Sequence, residues 1–156
     1  MKSFIIKLAI TPFILALALT SAQANPAEFA GHWLGQGTYI FDGDMTDCSK
    51  FELIFNAGNN RFTFASGHRV CGDLDEKYFP VTVDYRDGNI FFNGQKVGSY
   101  TDNTMEMGFR MPDGDSFRNW RMTMRRQGDH LMYEESRTME GESTPLISFA
   151  GLLVIQ

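Results

Sequence analysis

The residues best suited to hold a ligand lie in two stretches near the C-terminus. One stretch carries Arg118 and Trp120 two positions apart, and the next carries Tyr133, Glu135 and Arg137 with the same spacing. Residues two apart in a strand point to the same face, so these five side chains are predicted to share one face. Two guanidinium groups beside one carboxylate leave one positive charge uncompensated. This charge could bind a ligand carboxylate or phosphate, whereas a solvated salt-bridge cluster is the alternative.

Known catalytic and metal-binding spacings do not occur in the sequence. Gly-x-Ser-x-Gly, His-Glu-x-x-His, Cys-x-x-Cys and the phosphate-binding glycine loop are all missing. The histidines His32, His68 and His130 are far apart, and the acidic stretch 42–47 lacks the closing glutamate of a calcium loop. We therefore predict a binding protein without a metal or cofactor, and not an enzyme.

Residues 1–24 have the three parts of a secretory signal peptide. Lys2 and Lys7 precede an apolar run, 8–19. Ala22-Gln23-Ala24 then supplies the small residues read by a signal peptidase. The run is shorter than the roughly 20 residues that span a bilayer, which disfavours a membrane anchor. We expect cleavage before Asn25 and export, in a bacterium to the periplasm, with no membrane insertion afterwards.

Length and charge then define the exported part, residues 25–156. It has 132 residues (156 minus 24), and it carries 12 basic residues (14 minus Lys2 and Lys7) against 19 acidic ones, a formal charge of -7. This length fits one domain. The negative charge disfavours nucleic acid as a partner.

The two cysteines fall opposite each other in a predicted hairpin. Apolar alternation on both sides of Asn59-Asn60 predicts two strands joined at that turn, so that opposed residue numbers sum to 119. Cys48 and Cys71 satisfy this sum, and an exported chain permits their oxidation, which predicts a disulfide. The same register puts Phe51, Phe64, Ser66 and His68 on the inner face, and Arg69 and both cysteines on the outer face. The acidic stretch 72–77 is predicted to be a solvated loop.

Further turns predict an all-β chain of hairpins. Asp87-Gly88, Asn93-Gly94 (with Val97 opposite Ile90), Pro112 to Asp115, and Gln127-Gly128 separate alternating apolar runs, and no helical periodicity interrupts them. The apolar terminal run 146–155 needs a partner strand, and pairing with the first strand, 31–41, closes the sheet. We predict an antiparallel up-and-down barrel of eight to ten strands with one disulfide. A two-sheet sandwich is the alternative.

The start of the first strand resembles a known family. Gly31-His32-Trp33 continues as Gly35-Gln36-Gly37, and this Gly-x-Trp-x-Gly-x-Gly pattern resembles nitrobindin-like and other lipocalin-like domains of the calycin superfamily. The resemblance implies a barrel over residues 25–156, with the tryptophan closing one end. Haem-binding members use a late histidine that this chain lacks, so haem is not predicted.

The predicted inner face is rich in aromatic and methionine side chains, which suit an adaptable apolar pocket. We predict that a small hydrophobic or amphipathic molecule binds there. An amphipathic ligand would carry an anionic head group. The candidate ligand-binding residues are Trp33, Phe51, Phe64, His68, Tyr85, Met107, Arg118, Trp120, Tyr133, Glu135 and Arg137. The alternative is a filled barrel that acts as a protein-interaction or inhibitor module, with Ile54, Phe91 and Phe117 on its outer face.

Overall fold

The computed structural model describes residues 25–114 and 116–156, so the predicted signal peptide lies outside the described residues. A short 3-10 helix, Pro26–Phe29, precedes eleven strands. They are β1 Gly31–Phe41, β2 Asp44–Gly58, β3 Arg61–Cys71, β4 Leu74–Tyr78, β5 Val81–Arg86, β6 Asn89–Phe92, β7 Gln95–Tyr100, β8 Thr104–Asp113, β9 Ser116–Gln127, β10 His130–Met139 and β11 Ile147–Ile155. In the described part of the chain, no helix is long and apolar enough to span a membrane.

Ten of these strands form a closed antiparallel ring. Each strand pairs with the next along the chain except at β4, and the last strand, β11, pairs with the first, β1, through contacts such as Trp33 with Ile155. The eleventh strand, β4, pairs with the same edge of β3 as β5 does, but with a later segment of it. Phe79 and Pro80 separate β4 from β5 along the chain. Proline cannot donate to the ladder, which explains the interruption. The predicted all-β up-and-down barrel is confirmed.

The hairpin of β2 and β3 contains the predicted disulfide. Asn59 and Asn60 both have positive φ, at 51° and 59°, as a tight hairpin turn requires. Cys48 pairs with Cys71, and their sulfurs are bonded across a Cα–Cα distance of 3.9 Å. The predicted pairing is therefore confirmed. Both cysteines are buried, however, with 3% of each exposed, whereas the sequence predicted the outer face.

Two bulges in this hairpin explain that difference. Ala65 is an extra residue in β3 and Ser49 is an extra residue in β2, so the register changes by one residue between them and then returns. A shift of one residue exchanges the two faces. Arg69 is consequently buried inside the barrel, and the prediction that His68 and Ser66 point inward is wrong. Between the two bulges, Gly67 lies on the inner face, where a Cβ would be 2.8 Å from the Phe64 ring, so this close packing requires glycine.

Three other predicted registers also need correction. Ile90 pairs with Gly98 and not with Val97, because a bulge follows Ile90. The two turns that flank β9 predicted that Met122 would lie opposite Met105 on one side and Tyr133 on the other, whereas Met122 pairs with Met107 and Glu135. These two shifts each amount to two residues in the partner strand, which leaves every inward side chain on the inner face.

One end of the barrel is sealed by the 3-10 helix. Asn25 caps this helix by accepting a hydrogen bond from the backbone N–H of Ala27, and Phe29 is fully buried beneath the barrel. Trp33 Nε1 donates to the carbonyl oxygen of Phe29 at 2.9 Å, and Arg126 stacks over the Trp33 ring. Trp33 therefore closes one end of the barrel, as the resemblance implied.

Glycine lets β1 approach β11 closely at this end. A Cβ on Gly35 would lie 2.0 Å from the carbonyl oxygen of Leu152, a distance that only displacement of the backbone could relieve. The strand is bulged between Gly35 and Gly37, which supplies the bend that closes the sheet.

Candidate functional site

Near the end opposite the 3-10 helix, two strand edges have no pairing partner among the described residues. β8 pairs with β7 only through Met105–Met107, so its outer half, from Gly108 onward, is not paired with β7. Within the described residues, β3 is the one strand that pairs with β4. We call the end of the barrel that carries the outer half of β8 and the free edge of β4 the mouth.

Four charged residues form a network just inside the mouth, which we call the mouth cluster: Arg69, Glu76, Glu135 and Arg137. Arg137 donates from Nε to Glu135 Oε1 at 2.7 Å and from Nη2 to Glu76 Oε1 at 2.9 Å. Arg69 donates from Nη2 to Glu76 Oε2, and its Nη1 lies 3.7 Å from Glu135 Oε2. The charges alternate around a ring and sum to zero. Adding Arg69 and Glu76 to the predicted set of Arg118, Glu135 and Arg137 leaves its formal charge at +1, and the four-membered ring is neutral because Arg118 is not one of its members.

Aromatic residues surround Arg69 and complete the cluster. The side chain is fully buried, and its guanidinium carbon lies 4.9 Å from the Tyr39 ring centre and 5.2 Å from that of Phe149. Such ring faces attract a cation. The hydroxyls of Tyr78 and Tyr133 both donate to Glu135 Oε2, at 2.8 and 3.0 Å. The buried carboxylate thus receives hydrogen bonds on both oxygens, as a buried charge requires.

Opposing effects set the ionisation of the cluster. Burial alone would raise the pKa of Glu76, but the charges and hydrogen bonds of Arg69 and Arg137 outweigh it and lower that pKa. Burial would also lower the pKa of Arg137, yet Glu135 and Glu76 raise it. Burial and the negative charge of Glu135 raise the pKa of Tyr133 well above its usual value. Glu76 and Arg137 are therefore charged at neutral pH, while Tyr133 keeps its proton.

An aromatic surface, which we call the aromatic wall, lies at the mouth on β6, β8 and β9. It consists of Phe92, Phe109 and Trp120. The Phe109 and Trp120 ring centres are 5.2 Å apart with an interplanar angle of 33°, and Phe92 meets Phe109 edge-on at 5.5 Å. Phe109 and Trp120 are half-buried and Phe92 is 37% exposed. Aromatic faces left accessible beside a charged cluster can bind an apolar ligand by stacking.

The structure brings most of the predicted site residues together. Five of them share the inner face towards the mouth: Arg118, Trp120, Tyr133, Glu135 and Arg137. Arg118 is also engaged in an interaction there. The buried Phe51 packs against Tyr133, Phe64 packs against Tyr78, and Met107 belongs to the core.

Three predicted residues lie elsewhere. Trp33 is at the sealed end, and Tyr85 packs edge-on against Tyr100, 5.6 Å away. His68 is on the outer face, where its Nε2 is 2.8 Å from Asp75.

Sequence reasoning missed Arg69, Glu76 and Tyr78. The last two lie on β4, so the prediction of a solvated loop at 72–77 is wrong. The alternation of Leu74, Glu76 and Tyr78 after Gly72 was a strand signal that the acidic composition hid.

The protein is a closed ten-strand antiparallel barrel. One end is sealed, and the other, the mouth, carries charged and aromatic residues. This fold is consistent with a lipocalin-like barrel. In sequence comparisons, no protein-family model and no curated protein matches the chain.

Proposed function

We propose that the protein is an exported, non-enzymatic binding module that holds a small, mostly apolar molecule at its mouth. The observation that carries this proposal is the difference between the two ends of the barrel. The sealed end buries Phe29 and Trp33 completely, whereas Phe92, Phe109 and Trp120 remain partly accessible on the mouth side. A folded protein gains stability by covering such rings, so leaving several accessible at one end favours a ligand there.

The interior between the two ends supports a site near the mouth and not a deep one. Met122, Tyr133 and Leu53 lie behind the aromatic wall and are 1%, 0% and 0% exposed, within one continuous core. A ligand at the aromatic wall would touch Trp120 and Phe109 first.

Tryptophan fluorescence tests the proposal, because the sequence contains only two tryptophans and they lie at opposite ends. Trp120 is half-buried at the mouth and Trp33 is fully buried at the sealed end. An apolar extract of the host's exported fraction should quench the emission of a Trp33→Phe variant, which reports on Trp120 alone. The Trp120→Phe variant should show little change. Equal quenching of both variants, or of neither, would contradict a site at the mouth.

Native mass spectrometry provides an independent test. Protein purified from its own host should begin at Asn25 and should carry an additional mass of a small molecule. A chain that retains residues 1–24 would contradict the proposed export. A mass equal to that of the disulfide-closed chain alone would contradict a resident ligand.

A second candidate function, a protein-interaction module, is favoured by an apolar patch on the outer surface. Leu34, Met132, Leu152 and Val154 are 37 to 54% exposed and neighbour one another on β1, β11 and β10. The outward residues predicted from sequence serve less well, because Arg86 covers Phe91 and Arg110 covers Phe117.

A charged substitution in that patch tests the second candidate. A protein partner crosslinked in the host should be lost from Leu152→Glu but retained by Phe79→Glu, a matched change at a residue that is 85% exposed outside the patch. Retention of the partner by both variants would exclude the patch.

A further inference from the structure

We infer that the ligand is an uncharged molecule with a flat ring, and that this ring stacks on the aromatic wall. The inference rests on the proposed function and adds the chemical class of the ligand. Two separate observations carry it: the charge balance of the mouth cluster, and the geometry of the rings beside it.

The mouth cluster has no carboxylate oxygen without a hydrogen bond. Glu76 receives Arg137 on Oε1 and Arg69 on Oε2, while Glu135 receives Arg137 on Oε1 and two tyrosine hydroxyls on Oε2. A ligand carboxylate that took either arginine from this network would leave two glutamates with a single arginine between them. Removing one partner of a buried ion pair is strongly unfavourable.

A cationic ligand would also disrupt the ion pairs of the mouth cluster. It would have to draw Glu135 or Glu76 away from an arginine, and Arg69 is fully buried. The three rings within 5.4 Å of its guanidinium carbon already supply part of its electrostatic stabilisation. An uncharged ligand leaves all of these contacts intact.

The aromatic wall selects for shape. Phe109 and Trp120 lie 33° from parallel at 5.2 Å, and Phe92 stands edge-on to Phe109, so two ring faces are framed by a third ring. A flat ring can stack on such faces with good contact. A long flexible chain would need a channel into the barrel, where Met107, Met122 and Tyr133 are buried in the core instead.

Three fluorescent probes distinguish these possibilities when titrated into the folded, disulfide-closed protein. N-phenyl-1-naphthylamine is flat and uncharged, 8-anilinonaphthalene-1-sulfonate is flat and anionic, and cis-parinaric acid is an anionic chain. We expect the uncharged probe to bind most tightly, by roughly tenfold over either anion, because it alone leaves the cluster undisturbed. Tighter or equal binding of either anionic probe would overturn the inference and leave the proposed function standing. Binding of none of the three would overturn both.

Two matched variants locate the probe. Trp120→Leu removes a ring from the aromatic wall and should weaken the uncharged probe by roughly tenfold. Phe117→Leu removes a half-buried ring from the same strand, where it packs under Arg110 on the outer face, and should leave the affinity unchanged. Emission from the buried Trp33 reports whether each variant is folded. Equal weakening in both variants, or in neither, would overturn stacking on the wall.

Discussion

Replacing Arg69 by methionine tests whether charge balance holds the mouth cluster together. The substitution removes a fully buried cation and leaves Glu76 and Glu135 with one arginine between them. Methionine occupies a similar volume, so the dominant effect is electrostatic. We expect a large loss of stability because a buried carboxylate then lacks its counter-charge.

The size of this loss follows from burial and domain size. Breaking a buried ion pair by removing one partner costs about 3 to 5 kcal/mol. For the 132 residues from 25 to 156, an unfolding entropy of about 2.1 cal/mol/K per residue gives roughly 280 cal/mol/K. Dividing the first figure by the second predicts a fall in Tm of roughly 11 to 18 °C.

A double-mutant cycle with Glu76→Gln isolates the charge effect. The double variant restores neutrality, so its loss in urea-unfolding free energy should be smaller than the sum of the two single losses by about 1 kcal/mol or more. The pair Arg110 and Glu140 is the control, since both side chains are about half-exposed and their coupling should fall below about 1 kcal/mol. Additive losses in the Arg69 cycle would refute charge balance as the organising feature, and the inference of an uncharged ligand with it.

Three further predictions concern stability. Reduction of the bond between Cys48 and Cys71, which are 23 residues apart, should lower the unfolding free energy by about 3.4 kcal/mol on the chain-entropy relation, as measured with and without reductant. A Gly98→Ala variant should be strongly destabilised or fail to fold, because its Cβ would lie 1.9 Å from the carbonyl oxygen of Glu106, whereas alanine at Gly58, where a Cβ meets nothing within 4 Å, should be mild. The lowered pKa of Glu76 favours the folded state above the usual carboxyl pKa of 4.5, so stability should hold at neutral pH and fall as the pH drops below that value. A Glu76→Gln variant should lose less stability on the same acid titration.

Local signals explain which parts of the fold were predictable. Asn59-Asn60 and Asn93-Gly94 are turns whose residues tolerate positive φ, and such turns set the nearby pairing wherever they occur. The disulfide could be predicted from the Asn59-Asn60 turn because the register shifts at the two bulges of this hairpin offset each other. The original register is therefore restored where Cys48 pairs with Cys71.

The mouth cluster was only partly predictable, for a physical reason. Alternation assigns faces correctly until one extra residue enters a strand, and the bulge at Ala65 exchanged Arg69 for His68. The bulge depends on how Gly67 fits among the rings of Phe64 and Tyr78, which is a tertiary property. β4 was missed because its acidic composition hid the alternation of Leu74, Glu76 and Tyr78, and the role of Glu76 was missed because its arginine partners on β3 and β10 are remote in sequence.

The pairing of β1 with β11 has a consequence for how the chain is made. These strands form nine paired positions, from Trp33 with Ile155 to Phe41 with Ile147, across more than a hundred residues of intervening sequence. Contacts so distant along the chain form slowly, because a long loop must close before they give any stabilisation. Whether it emerges from the ribosome or during export, β1 comes first, and the edge that will pair with β11 stays unpaired until β11 has emerged. The barrel therefore closes only after β11 has emerged. Until then, the unpaired edge of β1 must be protected from aggregation by something other than β11.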